Sequence, residues 1–179
     1  AVSQVHNIYM SGGADKTTYR ASVNYRDIEG VSLTTGFKQI NGRVNITQKA
    51  LDDKLTLDVN LGATKKEASY GFSDAFKFAT IFNPTAPVKS TDPAYAKWDG
   101  YFNQTLFDYY NPVQILKTNK SVGEDMMYNL SLKGTFEVIK GLNIDAFYSR
   151  QGNSSQRSEY YDKNSFWVGA NRNGFAVKR

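Results

Sequence analysis

Several stretches of this chain alternate apolar and polar residues over about ten positions each, with turn signals between them. Tyr19-Arg20-Ala21-Ser22-Val23-Asn24-Tyr25 is the clearest, and Leu55-Thr56-Leu57-Asp58-Val59-Asn60-Leu61 and Tyr128-Asn129-Leu130-Ser131-Leu132-Lys133 repeat it. Period two over such a length predicts strands with one greasy and one wet face. The expected strands run from about Val5 to Gly12, Thr17 to Arg26, Phe37 to Lys49, Leu55 to Lys65, Met126 to Val138 and Leu142 to Gly152. Asn41-Gly42 is a dipeptide typical of two-residue hairpins. Here the alternation passes through it in phase, and a hairpin would leave two stubs, so one continuous strand is expected. The tail Ser165-Phe166-Trp167-Val168-Gly169 reads as loop or as the start of another strand.

The joints sort by length. Those near 13–16, 50–54 and 139–141 are tight, whereas those near 27–36, 67–124 and beyond 152 are long. Outer-membrane barrels have short periplasmic turns and longer extracellular loops. A strand of about 11 residues, tilted about 45°, spans roughly 25 Å of membrane normal, which matches the apolar band of such barrels. The expected fold class is therefore all-β: an antiparallel transmembrane β-barrel segment of about six strands with long extracellular loops. On this topology Tyr19 and Phe136 belong near the periplasmic rim, and Tyr25, Tyr128 and Tyr148 toward the outer one, as interfacial girdles.

Composition supports this reading. The hydrophobic fraction is 40% and mean hydropathy −0.52. No run approaches the roughly 18 apolar residues of a membrane-crossing helix. A barrel strand hides its lipid face in every second residue. The N-terminal residues carry no charged or apolar leader, so any signal peptide is expected outside this chain. The net charge of +5 is dispersed, with Lys65-Lys66 the densest interior basic spot. A solvated strand end explains that pair, and no nucleic-acid partner is expected.

Residues 67–124 break the pattern. All four prolines (Pro84, Pro87, Pro93, Pro112) and nearly half the aromatics, Tyr70 through Tyr110, lie there. A loop this long without structure is uncommon unless it has a job. Ser73 could cap one short helix ending before Asn83-Pro84. Asn111 could cap another, with Pro112 at its first position and Ile115-Leu116 as its apolar side. The rings Trp98, Tyr101, Phe102, Phe107, Tyr109 and Tyr110 read either as a surface that contacts substrate or a lid, or as the small core of a folded loop. Trp98, beside Asp99-Gly100, is the first to test as exposed. Arg20, Asn24, Arg43, Asn45, Asp58, Asn60, Asn129 and Lys133 would form an inward, hydrogen-bonding lumen wall. That wall is either a polar path and plug-docking surface or a set of groups that satisfy each other and water.

Catalytic and metal-binding chemistry is not expected. The chain has no cysteine and one histidine, His6, on the apolar face of an expected edge strand. No thiolate or histidine-rich metal site and no nucleophile–base pair can be assembled, so neither an enzyme nor a cofactor is indicated. Asp52-Asp53 and Glu124-Asp125 are acidic pairs expected at turns, on opposite faces. The Asn-x-Ser/Thr matches at Asn45, Asn103, Asn119, Asn129 and Asn153 are weak signals.

Four motifs carry a resemblance to a known family: Lys16-Thr17-Thr18-Tyr19-Arg20-Ala21-Ser22-Val23-Asn24-Tyr25-Arg26, Ile40-Asn41-Gly42-Arg43-Val44-Asn45, Phe82-Asn83-Pro84-Thr85-Ala86-Pro87-Val88 and Phe107-Asp108-Tyr109-Tyr110-Asn111-Pro112-Val113. In this order they resemble the SusC/RagA family of TonB-dependent outer-membrane transporters. The resemblance implies a barrel of about 22 strands closed by a plug. It also implies import of oligosaccharides or peptides driven through the TonB complex, and a SusD-like surface lipoprotein as lid. The cell outer membrane, with its lipid, would be the setting. Residues 1–179 would be an interior stretch of that barrel, without the plug. A soluble, secreted β-sandwich that binds glycan through the aromatic loop is the alternative. Its core side would usually carry larger residues than the Ala, Gly and Val seen here. An isolated porin-like pore would need more strands.

Overall fold

A computed structural model of the chain describes residues 1–104, 109–167 and 174–178. Seven strands form one antiparallel meander in sequence order: β1 (Ser3–Ala14), β2 (Thr17–Glu29), β3 (Gly36–Ala50), β4 (Leu55–Ser69), β5 (Lys120–Ile139), β6 (Leu142–Tyr161) and β7 (Phe175–Lys178). Asn41-Gly42 lies inside β3, paired with Asn24 and Val23 on one side and Thr64 and Ala63 on the other. The in-phase alternation therefore outweighed the turn dipeptide. The last strand is an addition to the six expected: Phe175–Lys178 pairs with Ser158–Tyr161. Val168 and Gly169 lie outside the described residues.

The tight turns owe their geometry to left-handed backbone. Asp15 has φ 45°, and Leu51, Asp52 and Asp53 take φ 52°, 53° and 66° in succession. Gly141 at φ 88° closes the two-residue turn between β5 and β6. Gly12 is not part of its turn. It sits in β1 opposite Tyr19, whose ring covers it so closely that a Cβ there would lie 2.7 Å from the hydroxyl.

Most strands run further toward the long-loop end than hydrophobic periodicity indicates. The loop after β4 spans 70–119 rather than 67–124, and β6 reaches Tyr161 rather than Gly152. Backbone ladders continue where both faces turn polar, and a hydrophobic period cannot register such residues. Glu124-Asp125 is accordingly within β5, not at a turn. Glu124 meets Lys65 on one face, and Asp125 accepts from Ser155 Oγ at 2.6 Å on the other.

Register separates two faces. Gly12–Tyr19–Ile46–Val59–Leu132–Tyr148 is an apolar row, and Met10–Ala21–Val44–Leu61–Leu130–Arg150 is apolar up to Arg150 on β6. Tyr148 and Tyr19 share one such row, at opposite ends of β2–β6. The six rows of this face, mainly apolar but with Lys65, Gln48 and Arg150 among them, lie about 6.7 Å apart along strands tilted about 45° and cover roughly 24 Å. A charged row with Asp27, Lys38, Glu67 and Glu124 bounds them at the long-loop end. No second sheet covers the apolar face among the described residues, which disfavours a sandwich: Ile8 is 76% exposed. No described helix is long and apolar enough to cross a membrane.

The packed core lies in the long loop. Helices α1 (Asp74–Ile81) and α2 (Pro112–Thr118) bury Ala75, Phe78, Ile115 and Leu116, flanked by Phe72, Tyr110 and Trp167. Asn111 caps α2 as its side chain accepts from Val113 N and Gln114 N. Ser73 precedes α1 but makes no side-chain cap bond.

Candidate functional site

The polar face is a grid of cross-strand rows. Arg20, Asn45 and Asn60 are successive partners, as are Arg43, Gly62 and Asn129, while Asp58 lies between Thr47 and Lys133. With Asn24, all eight lumen candidates therefore share one face. Some satisfy each other: Thr47 Oγ1 donates to Asp58 at 2.6 Å, Asn60 Nδ2 to Ser131 Oγ at 3.3 Å, and Lys133 lies 3.8 Å from Asp145. The Arg20 guanidinium lies 5.6 Å above the Tyr9 ring.

Across β1–β4 the side-chain amides join into a ladder. Asn24 Nδ2 donates to Asn7 Oδ1, and Asn41 Nδ2 donates to Asn24 Oδ1 at 3.3 Å. Asn41 Oδ1 then accepts from Gln39 Nε2 at 2.9 Å and Thr64 Oγ1 at 2.8 Å. Such a surface offers donors and acceptors to a polar solute in water. The described residues hold no group of His, Cys, Asp and Glu arranged for a metal ion. His6 stacks on Tyr25 across the edge pair β1–β2, ring centroids 6.3 Å apart.

The other candidate rings converge in the loop subdomain. Trp98 is half-buried, 4.7 Å from Phe166 and 6.0 Å from Tyr95, with the Lys97 ammonium 4.2 Å over its ring. It ends a 3-10 turn, Pro93–Trp98, opened by Asp92 accepting from Ala94 N and closed by left-handed Asp99. Phe102 packs on Tyr95 and Phe82, and Tyr110 meets Phe78 edge-on at 4.9 Å. Tyr101 is 6% exposed beneath Lys89 Nζ. Burial pushes its phenol above the ordinary tyrosine range, and the nearby Asp99 carboxylate adds to the shift. Tyr109 is the candidate ring at the surface. Phe107 lies outside the described residues. The expectation of an exposed Trp98 gives way because residues 161–167 fold back and put Phe166 against it.

What holds the subdomain is a set of buried amides that sequence patterning missed. Asn103 Nδ2 donates to Gln114 Oε1 at 2.9 Å. Gln114 Nε2 donates to the carbonyls of Asn164 at 3.0 Å and Trp98 at 3.3 Å. Asn111 Nδ2 serves Val88 O and Phe102 O at 3.0 and 2.9 Å. Asn119 bridges Ile115 O, Ser165 Oγ and the amide of Asp162. Only the Asn111-Pro112 cap signal pointed here. Asn103 and Asn119 entered solely as glycosylation-type matches, and a glutamine on a short helix has no signature.

No protein-family model matches the chain. Over 165 residues it is 26% identical to the TonB-dependent receptor SusC of Bacteroides thetaiotaomicron, covering 82% of this chain and 16% of that protein. In three dimensions it is similar to a chain in the structure of the RagAB peptide importer in the 'closed-closed' state. That likeness has a TM-score of 0.70 at 18% identity, over 97% of this chain and 20% of that one. The resemblance read from the motifs thus recurs in both sequence and fold, and the sheet is a SusC/RagA-like stretch of barrel wall. The chain spans about a sixth to a fifth of the length of these relatives. A stretch of 105 residues is also 32% identical to cytochrome P450 71B23 of Arabidopsis thaliana, covering 54% of this chain and 21% of that protein. Cytochromes P450 hold haem iron through a cysteine thiolate. This chain has no cysteine, so that likeness brings no haem ligand with it.

Proposed function

We propose that this chain is part of the wall of a TonB-dependent outer-membrane transporter. One observation carries the reading: a single sheet, apolar on one face and amide-lined on the other, runs from tight turns at one end to folded loops at the other. Bilayer hydrocarbon would cover the apolar rows, and β1 and β7 would pair with strands outside this chain, because an unpaired sheet edge is not tolerated in lipid. The tight turns would face the periplasm and the loop subdomain the outside.

In this reading the residues make and break no bond. The polar rows line the lumen and offer hydrogen bonds to an oligosaccharide or peptide passing a plug moved by the TonB complex. The loop subdomain, with Tyr109 at its surface, is where a SusD-like lipoprotein would sit as lid. The amide ladder supports a solvated inner face, since side-chain amides in hydrocarbon cost several kcal/mol each.

Cysteine labelling tests the orientation, and this segment contributes no background thiol. In the full-length protein, Val31→Cys at the long-loop end should react with a membrane-impermeant maleimide on intact cells; Val31 is 100% exposed. Asp52→Cys at a tight turn should react only after the outer membrane is permeabilised. Equal labelling of both, or the reverse order, would overturn the proposal.

A further inference from the structure

Charge is spread unevenly over the polar face. On β1–β4 that face carries Arg20, Arg26, Arg43, Lys49 and Lys66 against one carboxylate, Asp58, which accepts from Thr47 Oγ1. On β5 and β6 the signs balance: Lys133 lies 3.8 Å from Asp145, and Arg157 lies 3.6 Å from Glu159. Among the described residues, by contrast, no carboxylate forms an ion pair with Arg20, Arg26, Arg43 or Lys66. Asp125 stands opposite Lys66 in register, but its carboxylate accepts from Ser155 Oγ. All three arginines are exposed. Two of the cations rest on rings, Arg20 over Tyr9 and Lys66 Nζ 5.1 Å over Phe37.

The spacing of these cations is set by register. Arg20 pairs with Asn45 and Arg43 with Ser22, so the two arginines hold diagonal positions on adjacent strands, their Cα atoms roughly 7–8 Å apart. The next row toward the long loops is the amide ladder of Asn7, Asn24, Asn41 and Thr64. The row beyond it holds Arg26, Gln39 and Lys66. Cations therefore flank the ladder on both sides, with about 13 Å of strand between the Arg43 row and the Arg26 row. A guanidinium presents a rigid fork of donors that matches a carboxylate. A lane of one sign in a cleft also concentrates ions of the other sign.

We propose that this lane binds an anionic oligosaccharide of the uronic-acid class. One sugar carboxylate meets Arg26 and Lys66, and another meets Arg43 and Arg20. Hydroxyl groups between them exchange hydrogen bonds with the amide ladder. The single sign of the lane selects this occupant over a peptide, whose terminal ammonium it would repel. The Arg26 row lies nearest the loops and meets the sugar first. The proposal rests on the reading of the polar face as lumen wall.

Calorimetric titration of the full-length transporter in detergent provides the test, with tetragalacturonate, cellotetraose and tetraglutamate as probes. The wild type should bind tetragalacturonate at least tenfold more tightly than either of the others. Arg26→Gln and Arg43→Gln together should lower that affinity about tenfold and leave the response to cellotetraose unmoved. Lys38→Gln, which removes a positive charge from the opposite face, should change neither. Equal affinity for the acidic and the neutral tetrasaccharide would overturn the proposal. So would tetraglutamate binding as tightly as tetragalacturonate. Unchanged tetragalacturonate affinity in the double variant, with a plug newly open to protease, would mean that the arginines dock the plug, and would overturn it too. A full-length protein absent from the outer-membrane fraction would instead overturn the barrel-wall reading, and this site with it.

Discussion

The strand wall and the loop subdomain use the same kinds of residue in opposite ways. In the wall, Ile8 is 76% exposed, and Met10 and Ile144 are open as well. In the loop, Ile115 is wholly enclosed and Phe78 nearly so. The polar residues are inverted too. Asn24 and Asn41 stand on the sheet's hydrogen-bonding face, whereas Asn103, Asn111 and Gln114 are sealed inside the loop. The wall is half a structure that relies on its surroundings for burial. The loop carries its own core and its own hydrogen-bond partners.

Loop and wall should therefore respond differently to the same change, and Ile115→Ala should have the largest effect. Removing an enclosed isoleucine typically costs about 2–5 kcal/mol. Amides of 74–118 should lose hydrogen-exchange protection while those of β2–β4 keep theirs. Ile8→Ala in the wall should change stability by less than about 1 kcal/mol. Collapse of both regions together would show that the loop is not a separate unit.

Next in size is a pair of neighbouring arginines. Leu61→Arg places a charge on the apolar face near mid-band and should cost about 2–4 kcal/mol in equilibrium unfolding of the full-length protein in lipid vesicles. Asn60→Arg, one residue away on the polar face, should shift stability by no more than about 0.5 kcal/mol. Equal costs would remove the distinction between lipid and water faces.

The smallest effect concerns the amide ladder. Asn41→Ala deletes bonds to Asn24, Gln39 and Thr64. These groups are half-exposed and water can replace the lost partners, so the cost should be about 1 kcal/mol. By contrast, Asn111→Ala would leave enclosed carbonyls and the α2 N-terminus unpartnered, and should cost more. If the two losses matched, the loop amides would be as wet as the wall's.

Much of the wall was legible in the chain because its surroundings impose the period. With one face in hydrocarbon and one in water, every second side chain must change character, and a strand declares itself without knowledge of its neighbours. Tyr19–Tyr25 and Leu55–Leu61 show this, as does the uninterrupted phase through Asn41-Gly42 that outweighed a hairpin signal. The Asn111-Pro112 start of α2 was equally local, since a cap and its helix are adjacent in sequence.

The tertiary structure decided whatever depends on partners far away along the chain. The upper parts of β4, β5 and β6 are strands because their neighbours extend their ladders, although both faces there are polar. Tyr148 shares a row with Tyr19 because the registers of the strands between them bring the two onto one line of partners. Trp98 is half-buried because Phe166 returns to it from the end of β6, and Gln114 is a hub because Trp98 and Asn164 bring their carbonyls to it. A periodic pattern records which solvent a face meets. Contacts between distant segments leave no period, so only the folded chain could reveal the loop core and the buried amides.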